Sequence, residues 1–235
     1  MGDTQLRRDI AATARMLVAA GLIEAFGHVS ARRAGGYAIT STRPLLSATA
    51  GDVILLDGNG PVDGPSDRLP LETPMHAAVY EARPDVNAIC RGHGPACVVW
   101  GTGSEDLPLL HGLGALAGRR VRVHANIDLI ATVDAARDVA ATLSGGHTLI
   151  LSTNGALAVG VDLLEAATRL HFLEERARVA VEARSGRVAA APAADGEWER
   201  RLAHTEAEMR RAREWFHQAF GTSPGDPGGG SASGE

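Results

Sequence analysis

Lysine is absent from this chain of 235 residues, so all 23 of its basic side chains are arginine. Schiff-base aldol chemistry, an internal pyridoxal-phosphate aldimine and a phosphate-binding P-loop each need that amine, and all three are excluded. Any carbanion formed here must be stabilised by a metal, by hydrogen bonds or by guanidinium groups. Positive charge is also scarce as a field: the net charge is -5 and no basic block occurs, so nucleic acid is not an expected partner. No apolar run approaches the roughly 20 residues that span a bilayer, and Met1-Gly-Asp-Thr does not open a signal peptide. A cytoplasmic protein without membrane contact is expected. Glycines at Gly112, Gly114 and Gly118 lack the strand-Gly-x-Gly-x-x-Gly-helix spacing, which excludes NAD of the Rossmann type. The two cysteines, Cys90 and Cys97, lack zinc-knuckle spacing and read as buried thiols.

What is present is 45% hydrophobic sequence, enough for one domain with its own core. Three- and four-residue apolar steps predict a helix over Asp3–Ala20, and Gly35-Gly36 joins two strands, Ala25–Arg32 and Tyr37–Pro44. A third strand at Asp52–Asp57 precedes a turn-rich stretch. A helix over Leu71–Glu81 with Pro74 in its first turn is stopped by Arg83-Pro84-Asp85. There follow a strand from Val86, a helix at Pro95–Trp100, a strand at Val121–Val123 and a helix at Asp134–Leu143. Strands at Thr148–Leu151 and Ala156–Val159 lead into a long helix, Asp162–Arg184. The reading is an α/β domain over 1–187, then a linker and one C-terminal helix (Glu197–Phe220) within 188–220. Residues 221–235, rich in Gly, Ser and Pro, are expected to be a disordered tail.

Two segments carry most of the chemistry: Glu72-Thr-Pro-Met-His76 and Ala88-Ile-Cys-Arg91-Gly-His93. Strand alternation puts Arg91 and His93 on one face, with Cys90 and Gly92 on the other. A buried arginine beside an imidazole needs an anion, and Glu72 is the nearest candidate. Glu72, His93 and Arg91 are therefore the expected catalytic groups. His76, one helical turn beyond Glu72, is expected to orient the carboxylate. His124, His147, His171, His204 and His217 fit ordinary surface or helix positions.

In order along the chain, Gly27-His-Val-Ser-Ala-Arg32, Glu72 with His76 and Tyr80, Arg83-Pro-Asp-Val-Asn-Ala88, Asn154-Gly-Ala-Leu-Ala-Val-Gly160 and Leu173-Glu174 resemble the class II aldolase/adducin family over roughly Leu6 to Arg184. The resemblance implies a three-layer α/β fold, a central, mainly antiparallel sheet flanked by helices. It also implies a divalent metal (Mn, Fe or Zn) on three histidines, whose places here are Arg91, His93 and Asn154. With two imidazoles gone, the remaining ligand set would be Glu72, His93 and Asn154. His28, Ser30, Arg43, His111 and Asn154 take the family's substrate-binding places. Arg43 stands in the turn where sugar-phosphate aldolases hold phosphate, and a guanidinium there suits a planar carboxylate. This pattern is similar to the branch that decarboxylates hydroxy-aromatic or pyridine dicarboxylates. The expected activity is a carbon-carbon lyase on an unphosphorylated small hydroxy acid, by decarboxylation or aldol-type cleavage. Fe(II)-dependent oxidative cleavage in secondary metabolism and an inert scaffold are the alternatives. Family analogy further implies a homotetramer with sites between subunits, the apolar His111–Gly118 stretch lining a contact.

Overall fold

The structure, a computed structural model, describes residues 2–189 and 195–221. Eight strands, β1 (His28–Arg33), β2 (Gly36–Thr40), β3 (Val53–Asp57), β4 (Gly60–Pro61), β5 (Ala88–Gly92), β6 (Arg122–His124), β7 (Thr148–Leu151) and β8 (Ala156–Gly160), form one sheet. Their order is β4-β3-β2-β1-β5-β8-β7-β6. Every neighbouring pair is antiparallel except β6 with β7, so the expected mainly antiparallel sheet is found. Seven helices accompany it among the described residues: α1 (Asp3–Ala19), α2 (Thr73–Ala82), α3 (Pro95–Trp100), α4 (Val133–Leu143), α5 (Leu163–Ser185), α6 (Asp195–Leu202) and α7 (Thr205–Phe220).

Period-two alternation sorts the strand side chains into two cores. Val29, Ala31, Ala88, Cys90, Ala156 and Ala158 pack with Leu6, Ile10, Leu17, Leu170 and Leu173 of α1 and α5. The intervening Ile89, Leu149, Leu157 and Val159 pack with Met75 and Val79 of α2 and Val139 and Leu143 of α4. Helices thus cover both faces, and three layers result. Arg91 alternates with Cys90, so it projects into the α2 and α4 layer; this parity directs the site.

Most expected elements form within a residue or two of their predicted limits, and the departures have local causes. β1 starts at His28 because Gly27, at φ 147, bends the chain where an added Cβ would lie 2.8 Å from the Arg91 carbonyl oxygen. β2 ends at Thr40 because the next amides leave the ladder: Ser41 N–H donates to Asp52 O and Thr42 N–H to Arg68 O. The single C-terminal helix is two, α6 and α7, broken at Ala203 and His204. Phe216 and Met209 of α7 are buried, and Phe216 joins the core on the α1 and α5 side. Of the predicted linker, residues 190–194 lie outside the described residues, as do residues 222–235 of the predicted tail.

Polar side chains on α5 fix the connections beside the sheet. Fully buried Arg176 donates to the carbonyls of Leu107 (2.6 Å), Pro108 (2.9 Å) and Gly118 (2.7 Å). Those bonds fold the Leu113–Ala117 3-10 turn onto the helix, burying Ala115, Leu116 and Ala117 within their own chain. The apolar stretch expected to line a subunit contact is therefore largely consumed internally, leaving Leu113 exposed. Glu174 accepts from the amides of Ala96 (2.7 Å) and Cys97 (3.0 Å), satisfying donors at the start of α3 that no local side chain caps. Both cysteines are free and buried, as expected. Replacing this carboxylate, Glu174→Ala, should cost about 1–2 kcal/mol, the scale of a lost helix cap, read as a lower urea midpoint at unchanged slope.

Candidate active site

Glu72 stands at the N-cap of α2 with φ -84 and ψ 14, and Pro74 removes one of the amides that a cap would otherwise serve. Its carboxylate makes no cap bond and turns inward, where the residue is only 6% exposed. Oε2 accepts from Arg91 Nε at 3.2 Å and His28 Nε2 at 3.3 Å, and Oε1 accepts from the Ile130 amide at 3.3 Å. Four separate pieces of chain thereby meet on one carboxylate. Burial alone would raise its pKa, but the His28 hydrogen bond and the Arg91 charge outweigh that and bring it down to about 2.

Arg91 is fully buried and lies opposite His28 of β1 and Leu157 of β8 in the sheet register. Its Nε is on Glu72 and its Nη1 donates to Gly92 O at 2.7 Å. Nη2 has no hydrogen-bond partner and is shielded from solvent. The turn from β7 to β8 closes over this guanidinium: Gly155, at φ 78, brings its backbone so near that a Cβ would lie 2.3 Å from Gly92 O and 3.1 Å from Nη1.

His28 and Ser30 share a face of β1, and His76 and Tyr80 follow Glu72 at successive helical turns. They meet in a continuous polar line. His28 Nδ1 lies 2.6 Å from His76 Nε2, Ser30 Oγ lies 2.6 Å from His76 Nδ1, and Ser30 Oγ lies 2.8 Å from Tyr80 Oη. Burial lowers both imidazole pKa values, that of His76 well below the usual range, while the Glu72 bond partly offsets the fall for His28. His28 and Ser30, expected to touch substrate, have these atoms committed inside the protein. His76, expected to orient Glu72, reaches it only through His28.

His93 follows the end of β5 and is half-buried, with Nδ1 3.1 Å from Phe26 O. Burial and the Arg91 charge lower its pKa, opposed by that carbonyl and by a side-chain bond to Asn154. The strand ends at Gly92, yet Arg91 and His93 remain in electrostatic contact. Arg43, expected to bind substrate, stands apart from Glu72 within one chain: its side chain is 60% exposed and its Nε sits 3.5 Å from Asp52, because the chain turns outward after Thr40. His111 does not join this cluster within its own chain: it lies against Gly114 and Arg176 on the α5 side of the sheet, across from Glu72. His124, expected at an ordinary surface position, is buried and bonds Thr142 Oγ1 at 2.9 Å. Reasoning from sequence missed the Ile130 amide, which carries no side-chain signal. The common faces of Glu72, His76 and Tyr80 and of His28 and Ser30 were a usable one.

The side chains present do not fit a tightly held divalent ion. Among the described residues no three or more His, Cys, Asp or Glu side chains gather as ligands. Of the expected set, Glu72 is already engaged by a guanidinium, an imidazole and an amide, and the Arg91 charge beside it repels a cation. His93 and the amide of Asn154 are too few donors by themselves.

Residues 8–181 match the model of the class II aldolase and adducin N-terminal domain. The L-fuculose phosphate aldolase of Escherichia coli (strain K12) is 29% identical over 182 residues, spanning 76% of this chain and 84% of that protein. The 5-methylthioribulose-1-phosphate/5-deoxyribulose-1-phosphate aldolase of Rhodospirillum rubrum is 29% identical over 169 residues, 70% of this chain and 75% of its own. A solved L-fuculose 1-phosphate aldolase superposes with a TM-score of 0.76 at 26% identity, covering 92% of this chain and 98% of that one. An aldolase II superfamily protein from Pseudomonas syringae superposes at 0.78 with 19% identity, covering 93% and 95%, which speaks to the fold alone. With residues 8–181, about three quarters of its length, so matched, this chain belongs to the class II aldolase and adducin family.

Proposed function

We propose that the chain is a carbon-carbon lyase acting on a small, unphosphorylated hydroxy carboxylic acid, with an aromatic ring as the favoured apolar part. The observation that carries this reading is Arg91: a buried guanidinium whose Nη2 keeps a free donor beside an ionised carboxylate. An unpaired buried donor is costly, and an oxygen anion of a ligand removes that cost. Two further observations support the choice of acid. The amides of Ser41, Thr42 and Arg43 are spent on Asp52 O, Arg68 O and Ser41 Oγ, so these three are not open to a phosphate. Exposed apolar residues adjoin the polar groups in the chain: Phe26, whose carbonyl meets His93, Leu71 beside Glu72, and Leu129 beside Ile130.

Phe26 O can only accept, so His93 Nδ1 carries the hydrogen and neutral His93 keeps its basic lone pair on Nε2, beside the Asn154 side chain. Glu72 is also unprotonated at neutral pH. A site that starts with two bases and a cation suits aldol-type cleavage. One base takes the proton of the substrate hydroxyl, the carbon-carbon bond breaks as the carbonyl product forms, and its electron pair enters an enolate whose oxygen is held by Arg91 Nη2. The protonated base then returns its proton to the enolate carbon. Decarboxylation would use the same guanidinium to hold the enolate oxygen, with carbon dioxide leaving and the proton drawn from water. The poor donor set for an ion weighs against the Fe(II) oxidation alternative. Retention of a free buried donor beside Glu72 and His93 weighs against an inert scaffold. Arg43 and His111 enter this reading only if a neighbouring copy completes the site, and a fourfold assembly is part of the proposal.

In a thermal-shift panel, hydroxy-aromatic acids should raise the melting temperature while sugar phosphates of similar size do not. Arg91→Met should weaken binding of the stabilising acid about 10-fold or more, the scale of a charged hydrogen bond. Stabilisation by sugar phosphates alone would overturn the choice of substrate class. With a turned-over acid in hand, Glu72→Gln should lower kcat about 10²- to 10⁴-fold with the fold retained.

The same charge states set a pH dependence. His28 and His76 bind protons more weakly folded than unfolded, so stability is greatest above the unfolded value of 6.5 and falls on acidification below it. Glu72 adds a second loss as pH drops from 4.5 towards about 2. The urea midpoint should therefore decline between about pH 7.5 and about pH 5, and less steeply in His76→Gln.

A further inference from the structure

We propose that His76, Ser30 and Tyr80 are positioning residues, forming with His28 a one-way hydrogen-bond chain that locks His28 as its Nε2–H tautomer and so holds the Glu72 carboxylate in place. The direction follows from what each atom can do. Glu72, paired with Arg91, is an acceptor only, so the hydrogen in its 3.3 Å contact belongs to His28 Nε2. A second cation beside buried Arg91 would share one carboxylate with it, so His28 is neutral and its Nδ1 is a lone pair. That lone pair, 2.6 Å from His76 Nε2, must accept from it. His76 Nδ1 is then itself an acceptor and takes the Ser30 hydroxyl hydrogen across 2.6 Å. With that hydrogen spent, Ser30 Oγ accepts from Tyr80 Oη at 2.8 Å.

Every polar atom of the chain is satisfied in this direction, and none of them is among the buried unpartnered atoms. Running it backwards requires an imidazolium at His28 and leaves the Tyr80 hydroxyl hydrogen pointing into the core without an acceptor. The far end is anchored as well. Arg32 lies over the Tyr80 ring with Cζ 4.8 Å from its centroid, and its Nη2 donates to Tyr80 O at 2.9 Å. The Tyr37 ring packs 5.3 Å away. The charged and titratable groups facing the chain are thus Glu72 at the N-cap of α2, Arg91 from β5, Arg32 from β1 and Tyr37 from β2, with Cys90 behind them on the other face of β5. Burial raises the Tyr80 pKa, so its end of the line holds its proton. The chain orients Glu72; it does not drain protons from it.

The test is 15N NMR of the imidazoles in the full chain without substrate, at about pH 7.5, where an ordinary histidine is neutral. Signals are assigned by their loss in His28→Gln and His76→Gln. Both rings should be neutral Nε2–H tautomers. An Nδ1–H or doubly protonated state at either ring overturns the proposal. His76→Gln, which keeps an N–H donor near the same place, should leave His28 as Nε2–H. Ser30→Ala changes little volume and, because the direction is set from the Glu72 end, should keep both tautomers while moving the His76 Nδ1 signal towards that of a lone pair with no donor. A His76 Nδ1 signal unmoved in Ser30→Ala would equally overturn it. The catalytic meaning of the chain rests on Glu72 acting as the acid/base, but the tautomers are read without turnover. A chain found intact while Glu72→Gln stays active would overturn only the lyase reading.

Discussion

A guanidinium and a carboxylate sealed between a sheet and a helix impose the arrangement around them. Bringing Arg91 and Glu72 out of water costs several kcal/mol per ion, and the pair is tolerable only if the remaining donors and acceptors are nearly all answered. The surroundings show what that demands. β1 must place His28 opposite Arg91 in register, the loop before α4 must turn the Ile130 amide onto Oε1, and the β7 to β8 turn must bring Gly155 against Gly92. A single unmet donor, Arg91 Nη2, then stands out in an otherwise satisfied cluster. An unmet donor so placed gains most from an oxygen acceptor.

Much of this was legible in residue spacing. Alternation along Ala88–Gly92 put Arg91 on one face of a strand, and the need of a buried cation for an anion pointed to Glu72; the two are 3.2 Å apart. The spacing of Leu6, Ile10, Ala14 and Leu17 and of Leu170, Leu173 and Ala177 marked the helices of one layer. Periodicity works for these elements because burial on one face of a helix or strand is the dominant free-energy term, and it leaves its period in the chain.

The rest was hidden for reasons equally physical. Whether Arg43 faces a cleft or solvent depends on the amides of Ser41 and Thr42, which leave the β-ladder for Asp52 O and Arg68 O; backbone bonding of this kind has no residue signature. His111 sits among apolar neighbours that suggested a contact surface, but a buried arginine on α5 gathers the surrounding carbonyls and folds the segment inward. Ser30, expected to meet substrate, meets His76 and Tyr80 within the chain: a hydroxyl that can both donate and accept is satisfied by whichever groups arrive, and residue spacing does not say which.

Where a bound ion could polarise a substrate from any direction and exchange ligands during a reaction, a guanidinium has fixed donors in a plane and cannot change its coordination. At Arg91, Nε and Nη1 already face Glu72 and Gly92 O, so in the proposed reading recognition falls to Nη2 alone. Because Glu72 balances the Arg91 charge, an entering anion meets little net field from this pair, and its binding must come from the direction of one N–H and from what packs beside it. A ligand with one well-placed oxygen and a broad apolar remainder satisfies both conditions. In the proposed reading a multiply charged phosphate suits this pair less well, since two negative charges would find one free donor at Arg91 and a carboxylate at hand to repel them.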